Sequence, residues 1–266
     1  MLHLSGLARS TFYYYLKHQN TDKYAVERQE IQNVFNANKG RYGYRRILAI
    51  MRAKGYTLNH KTVQKLMRSI GLKGKTRKNE KYHSYKGEVG KVADNYLNRD
   101  FKADKPYEKL TTDVTQFKVG DEKVYLSPVM DLFNREIISY SISTSPDLWQ
   151  IREMLAGLFE KLPADSTPLF HSAQGWQYQH SEYQQFLVEH NIKQSMSRKG
   201  NCMDNGAMEN FFGRLKVEMY YGEKFESVND FINELKNYIY YYNNERISLN
   251  LKGMSPVQYR THSLTI

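Results

Sequence analysis

Two carboxylates and one interrupted turn are the residues best suited to chemistry. Asp113 stands inside the β-branched run "KLTTDVTQF", where burying a carboxylate is costly unless it pairs or binds a cation. Strand alternation puts Leu110, Thr112 and Val114 on one face and Thr111, Asp113 and Thr115 on the other. Glu209 lies in "DNGAMENFFGRLKVE", a helical pattern whose apolar stripe is Met208, Phe211, Phe212, Leu215 and Met219. Glu209 flanks that stripe, and Lys216 follows seven residues on, about 20° away around a regular helix. Between the two segments, "TPLFHSAQGWQY" leads a short apolar run into the polar turn His171-Ser172-Ala173-Gln174-Gly175. Turns of this kind at the carboxyl end of a buried strand present metal-binding carboxylates. The presenting position here holds Ala173, which can bind nothing. Taken singly, each piece also has an ordinary reading: a hydrogen-bonded strand Asp, a structural turn, two surface charges on an amphipathic helix.

The surrounding elements must bring these pieces together. From residue 104 the chain reads as mixed α/β. "KLTTDVTQFKVG" and "KVYLSPVMDLFNREIISYSIS" are strand-like, with a Gly120-Asp121 turn between them. "DLWQIREMLAGLFEKL" is an amphipathic helix, "STPLFHSA" a short strand, "SEYQQFLVEH" a helix from a Ser181 cap, and "IKQSMS" another strand. Two long helices close the chain. The order predicts a mixed sheet flanked by helices.

Upstream, residues 22 to 72 divide into three helical stretches. Their apolar positions are Val26, Ile31, Val34 and Phe35, then Ile47, Leu48 and Met51, then Val63, Leu66, Met67 and Ile70 behind an Asn59 cap. Two short helices joined by a Gly-containing turn, the second basic outside, fit a helix-turn-helix. Arg45, Arg46, Lys61, Gln64, Lys65 and Arg68 are its candidate phosphate or base contacts; the alternative is a three-helix bundle with a solvated basic face. Residues 1 to 21 read as one helix ending an upstream unit, and 73 to 103 as a basic linker.

Composition narrows the partners. The 266 residues carry 39 Lys and Arg against 28 Asp and Glu, a net charge of +11. That excess favours a polyanion through phosphate neutralisation and counterion release. The lone Cys202 excludes an internal disulfide and a Cys-pair zinc site. No apolar stretch approaches the roughly 20 residues that span a bilayer, so a cytoplasmic protein with no membrane partner is expected.

"LTTDVTQF", "LFHSAQGWQY" and "SRKGNCMDNGAMENFFGRLKVE" together resemble the three catalytic motifs of integrase-like DDE transposases from bacterial insertion sequences. The middle motif of that family reads His-Ser-Asp-Gln-Gly, and 35 residues separate its Asp from the Glu. Thirty-five residues lie between Ala173 and Glu209, so Ala173 occupies the position of that Asp. The resemblance covers nearly the whole chain. Residues 22 to 72 are similar to the helix-turn-helix ahead of the core, and "YIYYYNNERISLNLKGMSPVQYR" is similar to its C-terminal stretch. Leu110 departs from a frequent Trp, a packing change. Ala173 deletes an acidic ligand within intact surroundings, which fits a deliberate Asp-to-Ala change better than decay.

The resemblance implies an RNase H-like core over residues 104 to 221, with a helical extension over 222 to 266. It implies two Mg²⁺ or Mn²⁺ ions, with Asp113 bridging them, Glu209 holding one, and the missing Asp at 173 holding the other. The substrates implied are the terminal inverted repeats of a mobile element and its target DNA, cleaved and joined by a copy-out route. A dimer or higher assembly would hold two DNA ends. Lys216 is expected at a phosphate beside the scissile one, Arg198 and Lys199 at the backbone, and Gln174 and Trp176 at a nucleotide. With Ala173 the chain is expected to be inactive and metal occupancy impaired. The rival reading is a catalytically dead, transposase-derived DNA-binding regulator.

Overall fold

The computed structural model describes residues 8–17, 22–76 and 91–264. The chain forms two compact units, one ending at Lys75 and one beginning at Thr76. The first is all helical: α1 (Arg9–Lys17), α2 (Ala25–Ala37), α3 (Tyr44–Ala53) and α4 (His60–Ser69). Ile31, Val34, Ile47, Met51, Val63, Leu66 and Met67 are buried, as their spacing requires. Gly55 turns the chain between α3 and α4 at a φ of 89°, a conformation that glycine adopts without steric cost. The Asn59 side chain then caps α4 by accepting the Lys61 N–H at 2.9 Å. Val26 departs from its expected inward place and is 68% exposed. A period of 3.6 residues sets it roughly 140° from Ile31, so the helix itself turns it outward.

The second unit is built on a six-stranded mixed sheet. Its strands are β1 (Lys109–Thr112), β2 (Thr115–Val119), β3 (Glu122–Asp131), β4 (Ile137–Ser143), β5 (Leu169–Ser172) and β6 (Lys193–Met196). The strand order is β2-β3-β1-β5-β6, with β4 on β3; β1, β5 and β6 are parallel, and the rest antiparallel. The helices are α5 (Leu148–Phe159), α6 (Trp176–Gln179), α7 (Ser181–Glu189), α8 (Gly206–Leu215), α9 (Val228–Asn244) and α10 (Pro256–Leu264). Asp147 caps α5 by accepting the Gln150 N–H at 3.0 Å. The cap of α7 is His180, whose Nδ1 accepts from the Glu182 N–H at 3.3 Å; the expected cap, Ser181, is the first helical residue.

The run expected as one strand through Asp113 is interrupted there. Thr112 pairs with Val129 and Thr115 with Leu126, so β1 and β2 keep one register along β3 across the gap. That register sets Pro128 opposite Asp113. A proline has no N–H for the ladder, and the strand opens at residues 113 and 114. Leu110 belongs to the core under α5, and the Thr112 hydroxyl reaches Met154 of α5 at 3.4 Å. Thr111 must then face the other side, where it meets Asn205 at the start of α8.

Residues 77–90 of the expected linker lie outside the described residues. Residues 91–103 run along β6: the Tyr96 and Leu97 N–H groups donate to the Ser195 hydroxyl at 3.0 and 3.1 Å, and the Met196 N–H donates to the Asp94 carbonyl. They have no apolar period because backbone groups, rather than a side-chain stripe, attach them. Among the described residues no helix is long and apolar enough to cross a membrane.

Candidate active site

Asp113 and Ala173 lie side by side at the carboxyl ends of two parallel strands. Thr112 of β1 pairs with Ser172 of β5, the last pair of that ladder, and Asp113 and Ala173 are the next residues along each chain. Glu209 enters from the first turn of α8, near enough for its charge to act on Asp113. Three chain segments therefore converge, two of them bearing carboxylates and the third a methyl group.

Loss of hydration pushes the Asp113 carboxyl up to about 7, the Val114 N–H at 2.9 Å opposes this, and the Glu209 charge adds to the rise. Two anions sharing a poorly hydrated site hold protons in this way unless a cation joins them. Both donors are hard oxygens of the kind Mg²⁺ or Mn²⁺ takes. Among the described residues, however, no group of three or more His, Cys, Asp or Glu side chains could hold a metal ion. The donor set suits a divalent cation in kind and falls short of a two-ion site in number.

The raised Asp113 pKa has a consequence for stability. A carboxyl whose native pKa lies above its unfolded value keeps its proton longer in the native state, so this contribution falls as pH rises from about 3.8 to about 7. His171 acts oppositely in an overlapping window, because burial depresses it from 6.5 to about 4. The Asp113 contribution is thus read as a difference between two proteins. In metal-free buffer, Asp113→Asn is expected to be more stable than the parent above pH 7, with the gain disappearing toward pH 4. Urea midpoints measured across that range check this; parallel curves for the two proteins would refute it.

The approach of α8 to β1 is fixed by Asn205. Its Nδ2 donates to the Thr112 carbonyl at 3.0 Å, and its Oδ1 accepts from the Thr111 hydroxyl at 2.6 Å, all in the buried interior. One side chain thus clamps the strand end before Asp113 to the turn four residues before Glu209. Beside it, buried Asp204 accepts from the Arg198 N–H, from the Arg198 guanidinium, from Arg99 Nε at 2.7 Å and from Asn95 Nδ2 at 2.9 Å. The Arg198 guanidinium, chiefly, holds its carboxyl far below the usual range. Asn205→Ala would strand a buried hydroxyl and a buried carbonyl, each worth about 1–3 kcal/mol. A loss on the order of 2 kcal/mol is expected, measured by urea denaturation; a loss below about 0.5 kcal/mol would mean that the clamp is idle.

His171 is buried between the Ser195 and Ser197 hydroxyls at 2.9 and 3.1 Å, a structural bridge between β5 and the end of β6. The Gln174 carbonyl accepts from Gln179 Nε2 at 2.8 Å, and half-buried Trp176 opens α6. Arg198, expected at DNA backbone, is exposed and engaged by Asp204, and Lys199 beside it is exposed as well. Regular helix ends at Leu215, and Lys216 begins a π-helical turn through Tyr220. The Lys216 ammonium lies 5.5 Å from the Phe117 ring centroid on β2. In the first unit, Lys61, Gln64, Lys65 and Arg68 are all exposed on α4, within an arc of about 100°. Arg45 is exposed over the Tyr44 ring, and Arg46 is half-buried over Tyr42. Sequence reasoning passed over Asn205, Asp204, Arg99 and Asn95; the polar "DN" before a helix is their only local signal.

Residues 103–202 and 209–264 match the family described as Integrase core domain, and residues 22–80 match an HTH-like domain. The chain is 49% identical over 264 residues to the putative transposase InsK for insertion sequence element IS150 of Escherichia coli strain K12, covering 99% of this chain and 93% of the relative. It is 55% identical over 207 residues to an uncharacterized transposase-like protein of Haemophilus influenzae, covering 78% and 95%. The simian T-cell lymphotropic virus intasome, solved with the PP2A regulatory subunit B56 gamma, aligns with a TM-score of 0.51 at 16% identity over 77% of this chain and 67% of that one. The last likeness is one of fold. The chain belongs to the insertion-sequence transposases, a family of polynucleotidyl-transferase type with an RNase H-like integrase core behind helix-turn-helix-like helices.

Proposed function

We propose that this chain is a DDE transposase that binds the terminal inverted repeats of its element and would cleave and join DNA strands, but is silenced by Ala173. The supporting observation is the convergence of Asp113, residue 173 and Glu209, in which only the middle position lacks a carboxylate. Asp113 and Glu209 are the remaining metal ligands. A pair of divalent ions, when bound, activates the attacking oxygen and stabilises the leaving one in displacement at phosphorus. Residues 22 to 72 form the DNA-binding domain, reading or gripping the ends through Arg45, Arg46, Lys61, Gln64, Lys65 and Arg68. Residues 104 to 221 form the catalytic core and 222 to 266 its helical extension. Gln174, Trp176, Arg198, Lys199 and Lys216 border the strand being cut. Two or more copies hold two ends, in the cytoplasm on the nucleoid.

The same Ala173 favours a second reading, a DNA-binding regulator without chemistry. Both readings predict DNA binding, so the deciding experiment restores the carboxylate. Ala173→Asp is incubated with Mg²⁺ and DNA carrying the element's ends, and with an unrelated duplex. Joining confined to the element's ends supports the transposase; good binding without joining supports the regulator. Cleavage irrespective of sequence would mean a general nuclease.

A further inference from the structure

A cleft of about 790 Å³ runs along α8, with Glu209 and Arg214 on that helix, Arg135 in the β3–β4 turn, and Tyr242 and Tyr259 from α9 and α10 among its walls. Arg214 lies five residues beyond Glu209, about 7.5 Å along the helix axis. Arg135 adopts a φ of 65°, a left-handed conformation uncommon for residues other than glycine. The turn holds its half-buried side chain in the cleft, where Nη2 donates to the Phe101 carbonyl at 3.2 Å. Neither Arg135 nor Arg214 forms an ion pair among the described residues. A third guanidinium, Arg246, is already matched by Glu218.

We propose that this cleft is a binding site for the phosphodiester backbone of DNA, in which Arg214 and Arg135 contact phosphates flanking the strand held at Glu209. The proposal deepens the transposase reading and rests on it for the identity of the polyanion. Two like charges directed into one cleft repel unless an anion lies between them. Loss of hydration chiefly depresses the Arg135 guanidinium; the Tyr242 and Asp131 charges oppose this, and the Arg214 charge adds a smaller depression. Guanidinium groups match phosphate oxygens in paired, fork-like geometry. The aromatic wall of Tyr242 and Tyr259 offers faces for sugar or base. Glu209 on the same cleft makes a small carboxylate ligand a poor fit, whereas a strand anchored at several phosphates tolerates it.

The test measures binding of the full-length chain to a short duplex of arbitrary sequence across a salt series. Each lost phosphate contact lowers the steepness of log K against log salt by about 0.9. Arg214→Gln is expected to lower it by about 0.9 and Arg135→Gln/Arg214→Gln by about 1.8, with roughly 10-fold weaker binding for the pair. Arg214→Lys keeps the charge and should keep the slope. Arg214 is exposed, so its variant remains informative if the Arg135 change impairs folding. Parent-like slope and affinity in Arg214→Gln overturn the proposal. So does displacement of the duplex by a nucleoside monophosphate at equal concentration, which would mark a small-anion pocket. Failure of the transposase reading looks different: Ala173→Asp binds DNA and joins nothing, with the slopes unaffected.

Discussion

Ala173→Asp is expected to raise Mg²⁺-dependent strand joining by at least about 100-fold over the chain as it stands. The figure is a floor, because misplacing a reacting group by about 1 Å already costs that much, and here a whole ligand is missing. The backbone for the new carboxylate is in place: residue 173 directly follows β5, whose last residue pairs with the last of β1, and lies two residues after the buried, hydrogen-bonded His171. Burial chiefly, with the Glu209 charge adding to it, already lifts the Asp113 pKa; a third anion there adds repulsion, so Mg²⁺ binding to the variant should release protons and tighten as pH rises through 7. Calorimetric Mg²⁺ titration at two pH values and a joining assay with labelled DNA ends measure the two effects separately. Tight metal binding without joining would place the defect outside the ligand set. No change in metal affinity would mean that residue 173 does not face the other two carboxylates.

The three converging positions were legible in the sequence because each lies in a short motif whose ordered spacing is itself specific. The helices were legible where apolar period and cap agree, as in α4 behind Asn59. What failed to show depends on partners far along the chain. The opening of the strand at Asp113 is tied to Pro128 on a neighbouring strand, which local alternation does not reveal. Asn205 reads as an ordinary polar residue before a helix; its role comes from Thr111 and Thr112, more than 90 residues earlier. The placing of Lys216 relative to Glu209 assumed unbroken α-helix, whereas a π-helical turn begins at Lys216. Arg135 and Arg214 enter one cleft only after the sheet and α8 have packed.

That π-helical turn contains the second large expected effect. Arg246→Ala is expected to destabilise the protein by about 3–5 kcal/mol, the range for removing one partner of a buried ion pair. Arg246 and Glu218 are 2% and 5% exposed. Arg246 Nε and Nη2 donate to the two Glu218 oxygens at 2.8 and 2.6 Å, and the Tyr238 hydroxyl donates to Oε2 at 3.0 Å. Without the guanidinium, the buried Glu218 carboxylate would lose both charge-assisted hydrogen bonds while keeping the one from the Tyr238 hydroxyl, or would have to take up a proton. Because Glu218 belongs to the turn that follows α8 and Tyr238 to α9, the loss should loosen the C-terminal helices from α8. Replacing both charges, Glu218→Met with Arg246→Met, removes the uncompensated anion and should cost less than Arg246→Ala alone. Urea unfolding of the single and double variants forms a cycle that isolates the pair. If Arg246→Ala costs under about 1 kcal/mol, the pair is reached by water in solution, and the junction between α8 and α9 is held by the surrounding aromatic packing of Phe211 against Tyr242 instead.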